Sequence, residues 1–138
     1  MQLGAYFFVD WVLLPLFMKI AMWNVRGLGK SEKKRVVRRL LSKRRCDMVF
    51  IQESKLEVVN SKIWHFLGGY DSFTGEYASS VRAAGGLIIL WDEKFFRVEN
   101  KLVSNRYILL IGEINSKNFK CRFGNIYAPN DDRKRQAF

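Results

Sequence analysis

The sequence predicts an α/β domain, a mixed β-sheet with flanking helices. Three observations carry that expectation. Apolar runs of β type occupy residues 19–25 (KIAMWNV), 48–52 (MVFIQ) and 86–91 (GLIILW). Two segments of helical periodicity alternate with them, one after the first run and one after the second. From residue 70 onward the pattern turns to strands alone, so the order is βαβα and then several β.

The first run ends at Gly27 and Gly29, where the chain can turn sharply. Ser31 is the expected cap of a helix reaching about Arg45. Val36, Val37, Leu40 and Leu41 form its single apolar stripe, and basic residues fill the rest of its circumference. Asp47 precedes residues 48–52, a continuous apolar run of the kind a strand buried on both faces shows. Asn60 is the expected cap of a second helix over residues 61–67, with Ile63, Trp64 and Leu67 inward and the Gly68-Gly69 pair closing it. Strand runs are expected at 70–77, 86–91, 95–99, 106–114 and 119–127. Residues 78–85 read as a loop and 115–118 (NSKN) as a hairpin turn.

Composition narrows the class. The chain has 138 residues, 49% of them hydrophobic and 14% aromatic, which suits one ordered domain or a piece of one and excludes global disorder. Two cysteines make no disulfide framework and have no zinc-ligand company. They suit a reducing compartment, nucleus or cytoplasm rather than secretion. A net charge of +11 points to a polyanionic partner, nucleic acid first and anionic membrane second. That charge is concentrated. Residues 19–45 hold eleven Lys or Arg and one acid, Glu32, so nearly all the excess lies there. Lys33, Lys34, Arg35, Arg38 and Arg39 on the first helix are the expected contacts to a nucleic-acid backbone, against the plainer reading of a solvated face.

Residues 1–18 differ from the rest. They carry no Lys or Arg and are apolar apart from Gln2, Asp10 and helix-breaking Pro15. The stretch is short for a spanning helix, and a central acid costs about 2.5–3.5 kcal/mol on insertion. A secretory signal would begin with basic residues. The preferred reading is an apolar leader outside the domain, or translation begun upstream of Met18, with a membrane anchor as the alternative.

Most lone signals for chemistry are weak. His65 is the only histidine and lies mid-helix, where structural roles dominate. No serine or cysteine triad can be built around it, and GLGKSEKK lacks the spacing of a nucleotide-phosphate loop. Three strand ends say more: Trp23-Asn24, Gln52-Glu53, and residues 125–130 (NIYAPN). If these ends converge, Glu53 offers an oxygen ligand suited to Mg²⁺, which takes few protein carboxylates and keeps its waters. Asn24 would orient that shell, and Tyr127 and Asn130 would donate to phosphate oxygens. Each residue alone is more often a turn or cap.

The same residues carry a family pattern. Residues 19–29 (KIAMWNVRGLG), 47–56 (DMVFIQESKL), 84–92 (AGGLIILWD) and 124–130 (GNIYAPN) resemble the N-terminal part of the endonuclease/exonuclease/phosphatase superfamily, which includes exonuclease III and apurinic/apyrimidinic endonucleases. The form is most similar to the endonuclease domains of plant LINE-type retrotransposons. The resemblance covers residues 19–138. It implies an incomplete four-layer α/β sandwich, two sheets face to face with helices outside. It implies Mg²⁺, with Mn²⁺ as substitute, held by Glu53 and Asn24, and a scissile phosphate held by Tyr127 and Asn130. Arg26 stands where abasic-site repair enzymes of the family have an acid, which points away from that role. The family's GD-x-N and SDH motifs do not occur in this sequence. They supply the water-activating Asp and an Asp–His pair, and a general base typically contributes about 10²–10⁴-fold. The expectation is therefore a truncated DNA endonuclease-like phosphodiesterase, inactive or weak alone. Alternatives are a noncatalytic nucleic-acid-binding protein using the basic helix, a phosphatase-type relative acting on anionic phosphoesters, and a reading frame with no selected role.

Overall fold

The computed structural model describes residues 6–13, 16–69, 71–82, 84–115 and 118–127. The elements follow the expected order, with one strand added in front: β1 (Tyr6–Leu13), β2 (Leu16–Asn24), α1 (Ser31–Arg44), β3 (Met48–Gln52), α2 (Lys62–Gly68), β4 (Phe73–Ala78), β5 (Leu87–Asp92), β6 (Phe96–Val103), β7 (Tyr107–Ile114) and β8 (Phe119–Ile126). They build a five-stranded sheet, β1-β2-β3-β5-β4, and a three-stranded sheet, β6-β7-β8. Among the described strands β2 and β3 alone run parallel, and α1 supplies the crossover that a parallel pair needs. The other neighbours are antiparallel.

β3 shows why a continuous apolar run belongs in the middle. Alternate side chains leave a strand on opposite faces. Val49 and Ile51 join Ala21, Trp23, Ile88 and Leu90 on one face, under Val37 and Leu41 of α1 and Trp64 and Leu67 of α2. Met48 and Phe50 join Leu87, Ile89 and Trp91 on the other, against Phe96, Ile108, Leu110 and Ile114 of the second sheet. The described layers are thus helices, five-stranded sheet and three-stranded sheet. The α2 layer approaches closely because Gly75 in β4 has no side chain: a Cβ there would enter the Trp64 ring.

Three local expectations are corrected. Residues 6–13, read as part of a leader, pair along their whole length with β2, from Tyr6 opposite Trp23 to Leu13 opposite Leu16. β2 accordingly starts at Leu16 and runs through residue 18 without a break. An apolar, aromatic-rich octet serves as a strand wherever a partner strand is offered. Ser31 is the first helical residue of α1, not its cap. Lys30 takes the cap position, with no side-chain hydrogen bond. In α2 the cap position falls to Ser61, while Asn60 still serves the helix start, its Oδ1 accepting the Lys62 N–H at 2.9 Å. The hairpin expected at 115–118 joins β7 to β8, whose ends pair as Ile114 with Phe119. Ser116 and Lys117 lie outside the described residues. Among the described residues no helix is long and apolar enough to cross a membrane.

Asp47 ties β2, β3 and β5 together at the end where β3 begins. Its N–H donates to the Lys19 carbonyl at 2.8 Å, its Oδ2 accepts the Lys19 N–H at 2.9 Å, and its carbonyl accepts the Asp92 N–H at 3.0 Å. Burial raises its pKa above the usual carboxylate value, and the nearby Asp92 charge adds to this, against the Lys19 N–H bond. A raised folded-state pKa means the folded chain holds this proton more tightly than the unfolded chain. Stability from this group is therefore complete below the ordinary carboxylate range and falls as pH rises through the raised value. Asp47→Asn keeps the acceptor for Lys19 and removes the desolvated charge. Thermal unfolding should show the variant more stable than wild type at pH 7, with the gain vanishing near pH 3.5.

Candidate functional site

Parallel pairing puts the ends of β2 and β3 side by side, with Asn24 opposite Gln52. The two chains then continue together past the sheet. Val25 N–H donates to the Gln52 carbonyl at 3.0 Å, Gly27 to Glu53 at 2.7 Å and Leu28 to Ser54 at 2.8 Å. Asn24 folds its side chain into this turn, Oδ1 accepting the Arg26 N–H at 3.2 Å. β5 enters alongside: Ser54 N–H donates to the Gly86 carbonyl at 3.1 Å and Lys55 N–H to Gly85 at 2.9 Å. Gly86 allows this approach, since a Cβ there would overlap Ser54 Oγ.

β8 reaches the same edge from the second sheet. Asn125 is 3% exposed. Its Nδ2 donates to the carbonyls of Ile51 and Ile88, each at 3.0 Å. Gln52 Nε2 donates back to Asn125 Oδ1 at 3.1 Å and to the Ile126 carbonyl at 3.0 Å. Tyr127 follows, its N–H donating to the Arg106 carbonyl at 2.7 Å. Its ring lies over Gly85, with ring carbons 3.7 Å from where a Cβ would be. The segments carrying Asn24, Glu53 and Tyr127 therefore meet at one edge. Asn130 lies outside the described residues.

The backbone here is strained. Arg26, Glu53 and Lys55 all have left-handed φ, at 50°, 53° and 56°. Such conformations cost on the order of 1–3 kcal/mol each and persist where surrounding bonds impose them. Glu53 is half-buried, and among the described residues no hydrogen bond or ion pair engages its carboxylate. No cluster of three or more His, Cys, Asp or Glu suited to a metal occurs among the described residues. Among the described residues, the carboxylate that these strand ends carry is that of Glu53, while the Asn24 amide oxygen is turned to the Arg26 N–H. A carboxylate oxygen is a ligand of the kind Mg²⁺ takes.

Cations crowd the same edge. Lys33 Nζ donates to the Arg26 carbonyl at 3.2 Å. Its pKa is lowered, first by burial and then by the charges of Lys55, Lys30 and Arg26. Of the five basic residues expected to bind nucleic acid, Lys33 is the one the hydrogen bonds place at the strand ends. Arg38 stacks its guanidinium over the Phe66 ring of α2, 4.9 Å from the centroid. Arg35 and Arg39 are exposed on α1 and Lys34 is half-buried. His65 is exposed on α2. Sequence reasoning missed Lys30 and Lys55 as companions of Lys33, and Gln52 and Asn125 as the residues that position the edge. The available signal was adjacency: Gln52 precedes Glu53, Lys55 follows it by two, and Asn125 precedes Tyr127 by two.

Two sheets packed face to face, helices on the outer face of one, and strand ends gathered at one edge make a layered α/β sandwich. No family model matches the chain, and no curated protein matches it significantly. Solved structures do. The AP endonuclease LMAP from Leishmania major is 18% identical with a TM-score of 0.62, over 86% of this chain and 43% of that one. The Xenopus laevis APE2 catalytic domain is 15% identical with a TM-score of 0.58, over 85% of this chain and 47% of that one. The human Nocturnin catalytic domain, solved with a bound sulfate anion, is 15% identical with a TM-score of 0.63, over 91% of this chain and 54% of that one. At these identities the likeness shows the fold. The chain spans about half the length of each.

Replacing Asn125 tests the clamp that joins the two sheets here. Asn125→Ala leaves two carbonyls and the Gln52 amide short of partners, at a cost of about 2–4 kcal/mol. Asn125→Asp faces two carbonyl oxygens with a carboxylate, which raises its folded-state pKa. Its stability should fall as pH rises through that value and return in part toward pH 5. Urea denaturation at pH 7 and pH 5 should show acid rescue for Asn125→Asp alone.

Proposed function

We propose that this chain carries half of a divalent-metal phosphodiesterase site of the DNA endonuclease type, of retroelement origin, and that it is weak or inactive alone. The observation that carries the reading is the Asn125–Gln52 clamp, which joins the Glu53 edge to the Tyr127 edge. Around it lie an unengaged carboxylate and four cations.

Glu53, with Asn24, would hold Mg²⁺ or Mn²⁺. A bound ion would supply charge stabilisation at a phosphate oxygen. Arg26, Lys30, Lys33 and Lys55 draw a phosphodiester to the edge by long-range attraction and balance its charge there. The Tyr127 hydroxyl donates to a phosphate oxygen, and Asn130 would add a second donor from the same segment. The preorganised donors favour the more highly charged transition state. Glu53 would be committed to the cation, and among the described residues no side-chain hydrogen bond orients the exposed His65 as a base. The absence of GD-x-N and SDH from the sequence supports low activity. The WNVRGLG segment, with Arg26 where repair enzymes carry an acid, supports retroelement origin over abasic-site repair. Residues 1–18 remain, in this reading, an addition to the catalytic domain that lends it β1.

A second reading, noncatalytic nucleic-acid binding, is favoured by the exposed Arg35 and Arg39 beside the Lys33 cluster. Metal binding separates the two. Glu53→Gln should weaken Mn²⁺ binding, followed by electron paramagnetic resonance, about tenfold or more, and wild type should nick supercoiled plasmid slowly or not at all. Unchanged Mn²⁺ affinity in Glu53→Gln, with salt-dependent DNA binding intact in chelator, would leave the binding reading standing instead.

A further inference from the structure

Residues 53–56 leave β3 as a turn clasped from three directions. From the continuation of β2, the Gly27 and Leu28 N–H groups donate to the Glu53 and Ser54 carbonyls at 2.7 and 2.8 Å. From the start of β5, the Gly86 and Gly85 carbonyls accept the Ser54 and Lys55 N–H groups at 3.1 and 2.9 Å. From just past β4, Ser80 N–H donates to the Leu56 carbonyl at 2.9 Å. Leu56 N–H turns back to Ser54 Oγ at 3.4 Å. Left-handed backbone at Glu53 and Lys55 persists because this set of bonds imposes it.

Gly86 lies at the centre of the clasp. A Cβ added there would stand 2.3 Å from Ser54 Oγ, 3.0 Å from Lys55 N and 3.4 Å from Ser80 Cβ. Ser54 and Ser80 are both buried. The Ser54 hydroxyl therefore has little room to swing aside, and swinging would release Leu56 N–H. Lys55 N belongs to the main chain and yields only if the turn moves. Gly85 differs from its neighbour, because a Cβ there would meet Tyr127 ring carbons at 3.7 Å, an ordinary contact. Of the pair, Gly86 is the one whose lack of a side chain decides how closely β5 seats against the segment that bears Glu53.

We propose that Gly86 is a positioning residue for the cation site. By letting β5 close on the Ser54–Lys55 main chain it fixes where Glu53 stands at the strand-end edge, and so sets how tightly that edge binds a divalent ion. The inference rests on the reading of Glu53 as a cation ligand. It adds that the ligand is placed from β5, a strand that carries none of the candidate site residues. Lys55 moves with Glu53, because one clasped turn bears both. A shift of the turn alters the cation ligand and a phosphate-attracting charge together.

The test pairs Mn²⁺ binding, followed by electron paramagnetic resonance, with amide hydrogen exchange of the full chain in chelator. Gly86→Ala should lower Mn²⁺ affinity about tenfold. It should also speed exchange at Gly27 and Leu28, whose acceptors lie on the turn, relative to the amides of β7. Gly69→Ala is the control for backbone strain. Gly69 ends α2 at φ 77°, close to the 89° of Gly86, and its added carbon would reach Ser42 Oγ at 3.4 Å, away from the strand ends. Both variants should melt early, since alanine is strained at such φ, but Gly69→Ala should keep wild-type Mn²⁺ affinity and wild-type exchange at Gly27 and Leu28. If Gly86→Ala does not fold, Ser54→Ala decides. It removes the acceptor of Leu56 N–H without backbone strain, and should weaken Mn²⁺ and speed exchange at Lys55 and Leu56. Wild-type Mn²⁺ affinity in the deciding variant, with Glu53→Gln weakened, would overturn the positioning role and leave the phosphodiesterase reading standing. Equal loss of Mn²⁺ in Gly69→Ala and Gly86→Ala would overturn it as well, reducing Gly86 to a structural glycine. Mn²⁺ binding that is absent from wild type, or unchanged in Glu53→Gln, would overturn the reading of Glu53 and with it the effect on the cation. The exchange rates at Gly27 and Leu28 would still show whether Gly86 places the turn.

Discussion

The buried amide of Asn125 donates to one carbonyl of β3 and one of β5 while accepting from Gln52. The Tyr127 side of the strand-end edge depends on that arrangement. Apolar packing between the sheets, from Met48, Phe50, Leu87 and Ile89 against Ile108 and Leu110, sets how far apart they sit. It is non-directional and would tolerate sliding. A buried amide with both protons and its oxygen engaged tolerates very little, because a shift leaves polar groups unpaired in a low-dielectric interior. Asn125 therefore converts a layered core into a register, and Tyr127 stands where it does because it lies two residues further on.

Beyond the sheet ends, hydrogen bonds replace packing as the positioning force. The chains leaving β2 and β3 hold each other through Val25, Gly27 and Leu28, and β5 joins them through Gly85 and Gly86. Left-handed backbone at Arg26, Glu53 and Lys55 is the cost of that braid. The braid fixes the main chain at Glu53. Its carbonyl is taken by Gly27, and its neighbours Ser54 and Lys55 donate to Gly86 and Gly85.

Much of this was legible because it rests on short-range rules. β3 and β5 read as buried strands from unbroken apolar runs, and the stripe of Val37 and Leu41 identified the inner face of α1. The strands of the second sheet were legible as runs at 95–99, 106–114 and 119–127, while a second sheet was expected from the family resemblance. Residues 6–13 were not legible as β1, because apolar character alone does not distinguish a strand from a leader until a partner exists. Nor was the cap at Lys30, where the preceding turn rather than side-chain chemistry starts the helix. Asn125 carried the least signal of all. An asparagine near a strand end is ordinarily a turn residue, and only the other sheet's carbonyls make it a clamp. The site was legible as a list of strand-end residues, and its positioning was not, because the bonds that join Asn125 to Gln52 and Ile51 span more than seventy residues of sequence.

That span also bears on how much of a working site these residues hold by themselves. The tethers of Asn24, Glu53 and Tyr127 run to Arg26, Gly27, Gln52, Gly85, Arg106 and Asn125, all within the described residues. None of these bonds needs a group from outside. The outer face of the second sheet, by contrast, leaves Leu102, Tyr107 and Ile126 at 50%, 41% and 54% exposure. Apolar exposure there weakens β6-β7-β8 as a sheet, since one of its faces gains nothing from burial. It weakens the site far less, because β8 is held at the edge by Asn125 and Gln52 rather than by its outer face. Covering that face would steady the Tyr127 side of the edge, while the Asn24–Glu53 side is already braced by β2, β3 and β5. The carboxylate half and the phenol half thus differ in what holds them, and the phenol half is the more sensitive to whatever packs on the second sheet.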